Sequence, residues 1–313
     1  MPGVGTGAVT LTYPPGEARD MTDADESAVA VDDEDGERRH KDVCLVTGAS
    51  SGIGQATALA FLAEDWVVYA TARDTDDVAE LADAGCRTAE LDVTDGGQVA
   101  AVVERVVDEQ GRIDCVVNNA GFAQFGPLED VSTEAVERQF DVNAFGPHRL
   151  VRAALPHMRE AGDGTIENVS SVVGELSIPG SGAYAASKAA VESMSDALRA
   201  EVEEFGVDVV VVAPGPVDSS FYDRADEELD ATERSGAYED IYELYDDAAS
   251  MGGFGPASIS PAMVGDAIVN AASATDPAPR YPVGPIAKYS GLARFVPKRV
   301  RDRLFALARR LFA

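Results

Sequence analysis

Tyr184 and Lys188 stand four residues apart near the start of a long stretch with helical apolar spacing, so their side chains share one face. A tyrosine with its ordinary pKa of about 10 is a poor base at neutral pH. A nearby ammonium would stabilise the phenolate and draw that pKa toward the working range. Alone, a Tyr-x-x-x-Lys pair is common and reads best as a surface pair on a helix. Ser171 lies thirteen residues earlier, where a short apolar strand ends. Its hydroxyl could hydrogen-bond a substrate oxygen as charge develops there.

Thr47-Gly48-Ala49-Ser50-Ser51-Gly52-Ile53-Gly54 follows a predicted strand and opens a predicted helix. Glycines in that place let the backbone turn tightly and approach a pyrophosphate, whose charge a helix N-terminus favours. The strand–turn–helix setting is what a dinucleotide site requires. The second strand ends at Ala70-Thr71-Ala72-Arg73. A carboxylate there suits the ribose hydroxyls of NAD, whereas an arginine accommodates a 2′-phosphate. Arg73 therefore favours NADP(H) over NAD(H), with Asp74 next to it able to blur the choice.

These residues need strands that end on one side and helices that begin there. Strands are predicted at Val43–Thr47, Trp66–Thr71, Cys86–Leu91, Cys115–Asn118, Thr165–Ser170 and Val207–Ala213. Helical patterns occupy the turn through about Glu64, then Gln98–Gln110, Thr133–Arg159 and Ala183–Phe205. Strands separated by helices imply right-handed crossovers and a parallel sheet covered on both faces. The fold class is α/β: a single-domain, Rossmann-type, doubly wound sheet with ligands beyond the carboxyl ends of its strands.

Residues 1–41 are Gly/Pro-rich and then crowded with acids, and are expected to form a disordered tail. Met21 offers an alternative start. The main domain is expected over 42–285. Within it, about 215–260 is acidic and punctuated by Phe221, Tyr222, Tyr238, Tyr242, Tyr245 and Phe254. A stretch of that length suits a substrate lid, or an acidic insertion whose tyrosines pin short helices. Residues 286–313 read as a basic amphipathic helical extension starting near Pro297. It could lie on an anionic membrane, but docking on the acidic body is favoured, since one such helix gives modest membrane affinity.

Composition narrows the function classes. The 313 residues carry 55 acidic against 25 basic side chains, a formal charge of −30, which repels nucleic acid. Only Lys41, Lys188, Lys288 and Lys298 are lysines. So acidic a surface is expected of a salt-loaded, halophilic cytoplasm, where a Debye length of roughly 3 Å at 1 M salt removes the self-repulsion. No apolar run is long enough for a membrane span, and no secretory signal is expected, since the first twenty residues lack a basic start followed by an apolar core. Cys44, Cys86 and Cys115 are widely spaced and read as buried hydrophobes of a reducing compartment. With His40, His148 and His157 equally scattered, no metal site is expected.

From about Asp42 to Ser220 the chain resembles the short-chain dehydrogenase/reductase family, in its T-G-x-x-x-G-x-G and Y-x-x-x-K subgroup. The markers run in order: Thr47–Gly54, Asp92 in Leu-Asp-Val, Asn118-Asn119-Ala120-Gly121, Asn143, Ser171, Tyr184, Lys188 and Pro214-Gly215. The resemblance implies an enzyme interconverting carbonyl and alcohol by hydride transfer. Tyr184 would be its acid/base, Lys188 would lower that pKa and hold the nicotinamide ribose, Ser171 would orient substrate, and Asn143 would hold a relay water. Cofactor contacts are implied for Gly48, Ser50, Ser51, Gly52, Ile53, Gly54, Arg73, Asp92, Val93, Asn119, Ala120, Gly121, Tyr184, Lys188, Pro214 and Val217. Asn118 is expected to brace strands instead. A homodimer or homotetramer is implied as well.

Two departures stand out. Ser219 replaces a frequent threonine and keeps the hydroxyl. Glu167 puts a carboxylate inside a strand where the family usually has an aliphatic residue, so an arginine partner or an exposed strand start is expected; a buried, unpaired Glu167 would argue against this register. The C-terminal part, with Tyr281-Pro282-Val283-Gly284, is similar to relatives acting on hydrophobic alcohols. An acyl-thioester ketoreductase is the nearest alternative substrate class. A non-catalytic NADP(H)-binding redox sensor is the alternative function, although a sensor needs no Asn–Ser–Tyr–Lys set. A peripheral membrane scaffold leaves that set unexplained.

Overall fold

In the computed structural model the described residues are 30–32, 38–250, 258–303 and 305. Most of the N-terminal tail, Phe254 and most of the last ten residues lie outside them. Inside the tail, β1 (Ala30–Asp32) and β2 (Arg38–His40) pair antiparallel ahead of the main sheet, where a tail without structure was expected.

Seven parallel strands follow: β3 (Val43–Val46), β4 (Val67–Ala72), β5 (Arg87–Glu90), β6 (Cys115–Asn118), β7 (Gly164–Val169), β8 (Val207–Pro214) and β9 (Arg280–Val283). Their order is β5-β4-β3-β6-β7-β8-β9. The chain runs outward one way from β3 and then the other way from β6, so a crevice opens between the ends of these two strands.

Alternation along the strands feeds two cores. Cys44, Val46, Cys115 and Val117 face α1 (Gly52–Ala63), α2 (Ala79–Ala84) and α9 (Pro261–Ala272), meeting Phe61, Leu81 and Ile268. Leu45, Val116 and Ile166 face α3 (Gly96–Gln110), α5 (Gly146–Ala161) and α6 (Gly182–Val202), meeting Val103, Leu150 and Val202. All three cysteines are buried and free.

The helix expected over Thr133–Arg159 is two helices, α4 (Thr133–Phe140) and α5, joined by a π-helical turn at Asp141–Phe145. Such turns shift the hydrogen-bond register by one residue, often beside functional sites. Here the turn carries Asn143. β9 is an edge strand that the sequence pattern does not reveal. Its Pro282 fits an edge, where a missing N–H costs no ladder bond.

The acidic segment after β8 forms α7 (Phe221–Asp230) and α8 (Glu239–Ser250). Tyr242 donates to Asp130 at 2.8 Å, Tyr245 donates to the Pro179 carbonyl at 2.9 Å, and Tyr238 bonds Glu129. After β9 come α10 (Pro285–Ser290), a 3-10 helix at Gly291–Phe295 and a helical turn from Lys298.

Glu167 corrects the expectation built on it. It is 0% exposed, and neither carboxylate oxygen has a hydrogen-bond partner among the described residues. The register nevertheless holds, because β7 pairs along its length with β6 and β8, placing Glu167 between Val117 and Val210. The faulty premise was a charged side chain. Burial pushes its pKa well above the usual carboxylate range, so the group stays neutral and the cost of a buried ion is not incurred.

Candidate active site

A cavity of 1040 Å³ lies over the crevice at the strand ends. One half is built from the glycine turn. Gly48 has φ +66°, and a Cβ there would lie 2.8 Å from the Ala120 Cα. A Cβ on Gly54 would lie 2.2 Å from the Gly48 carbonyl oxygen. Both positions therefore need glycine, and the turn is held tight against the end of β6. Ser51 is the N-cap of α1, yet its side chain makes no capping bond. The first N–H groups of that helix lack this partner, and Gly52 and Ile53 line the cavity. A cradle of backbone donors at a helix N-terminus fits a dinucleotide pyrophosphate.

The Thr47 hydroxyl accepts from the N–H groups of Asn119 and Ala120, both at 3.1 Å. The Asn119 amide donates to the carbonyls of Thr47 at 2.9 Å and Gly48 at 3.0 Å. Asn119 lines the cavity, but its side chain serves to lock the turn. Asn118 instead donates to Asn168 at 2.8 Å, and Asn168 to Ser195 at 2.9 Å, a buried brace from β6 through β7 to α6.

Arg73, Asp92 and Val93 form the far wall. Arg73 is exposed there, whereas the Asp74 carboxylate accepts from the Asp76 N–H at 2.9 Å and caps a 3-10 turn. Desolvation raises the Asp92 pKa, but the Thr94 N–H and hydroxyl and the charges of Arg73 and Arg149 outweigh it and hold the carboxyl below its usual range.

Tyr184 sits in the first turn of α6 and is 8% exposed. The Ser171 hydroxyl accepts from the Val173 N–H at 3.4 Å and lies near enough to the phenol to favour its ionised form. Lys188 lies one turn on, its Nζ 5.9 Å from the Tyr184 ring centre and donating to the Val169 carbonyl at 2.8 Å. Burial draws the Lys188 pKa down to about 8, with the Glu192 charge opposing. The Tyr184 pKa is pushed up by burial, with the Ser171 hydroxyl opposing and the Tyr222 phenol adding to the rise. Lys188 is not among the causes of this shift, so the lowering expected from it is not seen: desolvation dominates.

Ser50, Gly121, Pro214 and Val217 also line the cavity, but Gly54 and Asn143 do not. Gly54 acts by close packing. Asn143 is buried, accepting from the Phe122 N–H at 3.1 Å and donating to the Phe122 carbonyl at 2.9 Å and Ser187 at 3.1 Å. Both amide hydrogens are engaged, so only the remaining lone pair of its oxygen is left for a water.

The other half of the cavity is aromatic. Phe125 and Phe221 pack on Tyr184 at 5.9 and 5.8 Å between ring centres, and Tyr245 packs on Phe125 at 4.8 Å. Tyr222, Leu176, Ile178, Ile286 and Tyr289 complete this wall. Phe125, Leu176 and Ile178 gave no signal in the sequence, since an apolar wall residue looks like any core residue.

A family model described as short chain dehydrogenase matches residues 42–230. A 3-ketodihydrosphingosine reductase from Bacteroides thetaiotaomicron is 40% identical over 182 residues, 58% of this chain and 66% of that protein's length. A short-chain dehydrogenase from Streptomyces avermitilis shares the fold with a TM-score of 0.72 at 35% identity, over 85% of this chain and 95% of that one. A short chain dehydrogenase from Burkholderia cenocepacia, solved in complex with NADP, gives a TM-score of 0.68 at 27% identity, over 85% and 97%. With the glycine turn, the parallel sheet and the Ser171–Tyr184–Lys188 cluster all within or beside the matched stretch, this chain belongs to the short-chain dehydrogenase family of oxidoreductases.

Proposed function

We propose that the protein interconverts a ketone or aldehyde and its alcohol on a hydrophobic substrate, using NADP(H) in preference to NAD(H). A nicotinamide dinucleotide in the glycine-turn half supplies or takes the hydride. Tyr184 gives the proton to the substrate oxygen in reduction and takes it back in oxidation. Ser171, beside the same phenol, orients that oxygen and shares its developing charge. Lys188 holds a positive charge beneath the phenol below pH of about 8.

The observation that carries this reading is the Ser171–Tyr184 hydroxyl pair where the two halves of the cavity meet. Gly121, from the turn side, comes so near Lys188 that an added Cβ would lie 3.6 Å from its Nζ. Phe125 and Phe221, from the other side, touch Tyr184. The NADP(H) preference is supported by Arg73 on the cavity wall with Asp74 turned to its own backbone, and by the NADP held in one solved relative. A hydrophobic substrate is supported by the aromatic wall and by a relative named for a long-chain keto lipid.

A salt-loaded cytoplasm belongs to the same proposal, on the strength of 55 acidic against 25 basic residues. So does a homo-oligomer, which the family resemblance implies. Among the described residues no helix is long and apolar enough to cross a membrane, and no cluster of metal-ligating residues occurs.

Initial rates with NADPH and NADH against a panel of ketones, measured in high salt, test the proposal. The expected result is turnover of bulky apolar ketones with NADPH favoured. No turnover of any ketone or alcohol with either nucleotide would overturn it.

A further inference from the structure

Arg280 projects from β9, the edge strand, against α6. Its guanidinium donates to both Glu192 oxygens, from Nε at 3.2 Å and from Nη2 at 3.3 Å, and Nη2 also lies 3.3 Å from the Glu175 carboxylate. The three side chains are largely buried, at 24, 17 and 18% exposed for Arg280, Glu192 and Glu175. One cation shared by two acids leaves a negative charge uncompensated. Lys188, one helical turn before Glu192 on the same face of α6, supplies the missing cation.

Packing brings this group against the Ser171–Tyr184–Lys188 cluster. Glu175 follows the 3-10 turn at Val172–Gly174, which Ser171 opens. In that turn a Cβ on Gly174 would lie 3.0 Å from the Ser170 hydroxyl and 3.4 Å from Glu192 Oε1. The glycine thus leaves room for the carboxylate beside the end of β7. Arg280 ties the turn after Ser171 to the helix that carries Tyr184 and Lys188.

Lys188 is 5% exposed, and an ammonium so enclosed needs a counter-charge. It faces the Tyr184 ring on its own helix, the Val169 carbonyl of β7 at 2.8 Å, and Gly121, beside which the Asn143 amide oxygen lies. None of these is an anion. Among the described residues Glu192 is the charge that opposes the effect of burial on Lys188. We propose that Glu192, clamped by Arg280, is a positioning residue for Lys188, fixing a counter-charge one turn behind the ammonium. Its meaning for catalysis rests on the role proposed above for Lys188. Salt screens largely buried charges little, so the pairing persists in a salt-loaded setting.

The test is carbon-13 NMR of the full-length protein labelled at lysine Cε, titrated at about 1 M salt. The chain has four lysines, and Lys188→Arg assigns the signal. Native Lys188 is expected to titrate at about pH 8, well below the ordinary lysine value of about 10.4. Glu192→Gln keeps the shape and an acceptor for Arg280, and is expected to move that midpoint down by about half a unit to one unit. Glu175→Gln loosens the same arginine without discharging the neighbour of Lys188, and is expected to leave the midpoint in place. The alkaline limb of kcat/KM should follow the midpoint downward in Glu192→Gln. The proposal is overturned if Glu192→Gln leaves the midpoint unmoved, or if Glu175→Gln moves it as far. A limb that stays while the midpoint moves would overturn it through the role of Lys188, not through the pairing. The titration is read without turnover, so a protein that reduces no ketone would count against the proposed function alone.

Discussion

The two halves of the cavity differ in how they are built. The glycine-turn half is backbone: N–H groups, a left-handed glycine and the amide of Asn119, which ties the ends of β3 and β6 together. The aromatic half is side chain: rings from the β6–α4 loop, α6, α7 and α8 packed against one another, with Tyr289 of α10 also on the wall. Backbone geometry tolerates almost no change, whereas a ring wall can be re-formed by other apolar residues of similar volume. The first half therefore fixes what kind of ligand fits, and the second tunes which substrate fits. Tyr184 touches both.

Substitutions sharpen this contrast. The largest effect is expected from Gly54→Val, whose branched side chain has no room against the Gly48 carbonyl. Dinucleotide affinity should fall by about a hundredfold in calorimetric titration, at the upper end of the about 1–3 kcal/mol that overpacking costs, because the clash is with backbone. Near-native affinity would mean that the turn is less rigid than described. Next is Arg73→Glu, which removes a cation and adds a repelling carboxylate. The ratio of kcat/KM for NADPH over NADH should drop by about ten- to a hundredfold, and an unchanged ratio would remove Arg73 from the site.

Phe221→Ala probes the aromatic half. It should lower kcat/KM for a bulky ketone about tenfold, from about 1.5 kcal/mol of lost ring burial, while nucleotide affinity stays as it was. Equal losses for small and bulky ketones would break the proposed division between the halves. The smallest change concerns Glu167, beneath both. Replacing an unpartnered buried carboxyl by an aliphatic side chain, as in Glu167→Val, should raise unfolding stability by about 1–3 kcal/mol, less the cost of any cavity left behind. The sign with pH follows from the raised folded-state pKa. The native protein's stability from this group is fully present below the unfolded pKa of about 4.3 and is lost as pH rises through the folded value. The advantage of Glu167→Val should therefore grow with pH in urea melts.

Legibility in the sequence follows the same division. The turn at Thr47–Gly54 could be read because glycine types and strand–turn–helix order are local signals. Tyr184 and Lys188 could be read because helical spacing alone puts them on one face. The π turn at Asp141–Phe145 could not, since a one-residue shift in hydrogen bonding leaves no mark in composition. β9 was hidden by its shortness and by Pro282, whereas α7 and α8 agree with the reading of an acidic insertion whose tyrosines pin short helices, as Tyr242 does on Asp130. Glu167 misled because sequence shows a residue's type but not whether it is ionised. Likewise, the spacing of Tyr184 and Lys188 gave their neighbourhood but not the burial that governs both pKa values.

The central claim is that the Tyr184 phenol passes the proton at the junction of the two halves. Stopped-flow single-turnover oxidation of nicotinamide by a bulky ketone, in native protein and in Tyr184→Phe of matched dinucleotide affinity, tests it most directly. The rate should fall on the order of 10²–10⁴-fold when the phenolic hydroxyl is removed. Equal rates in the two proteins would contradict it.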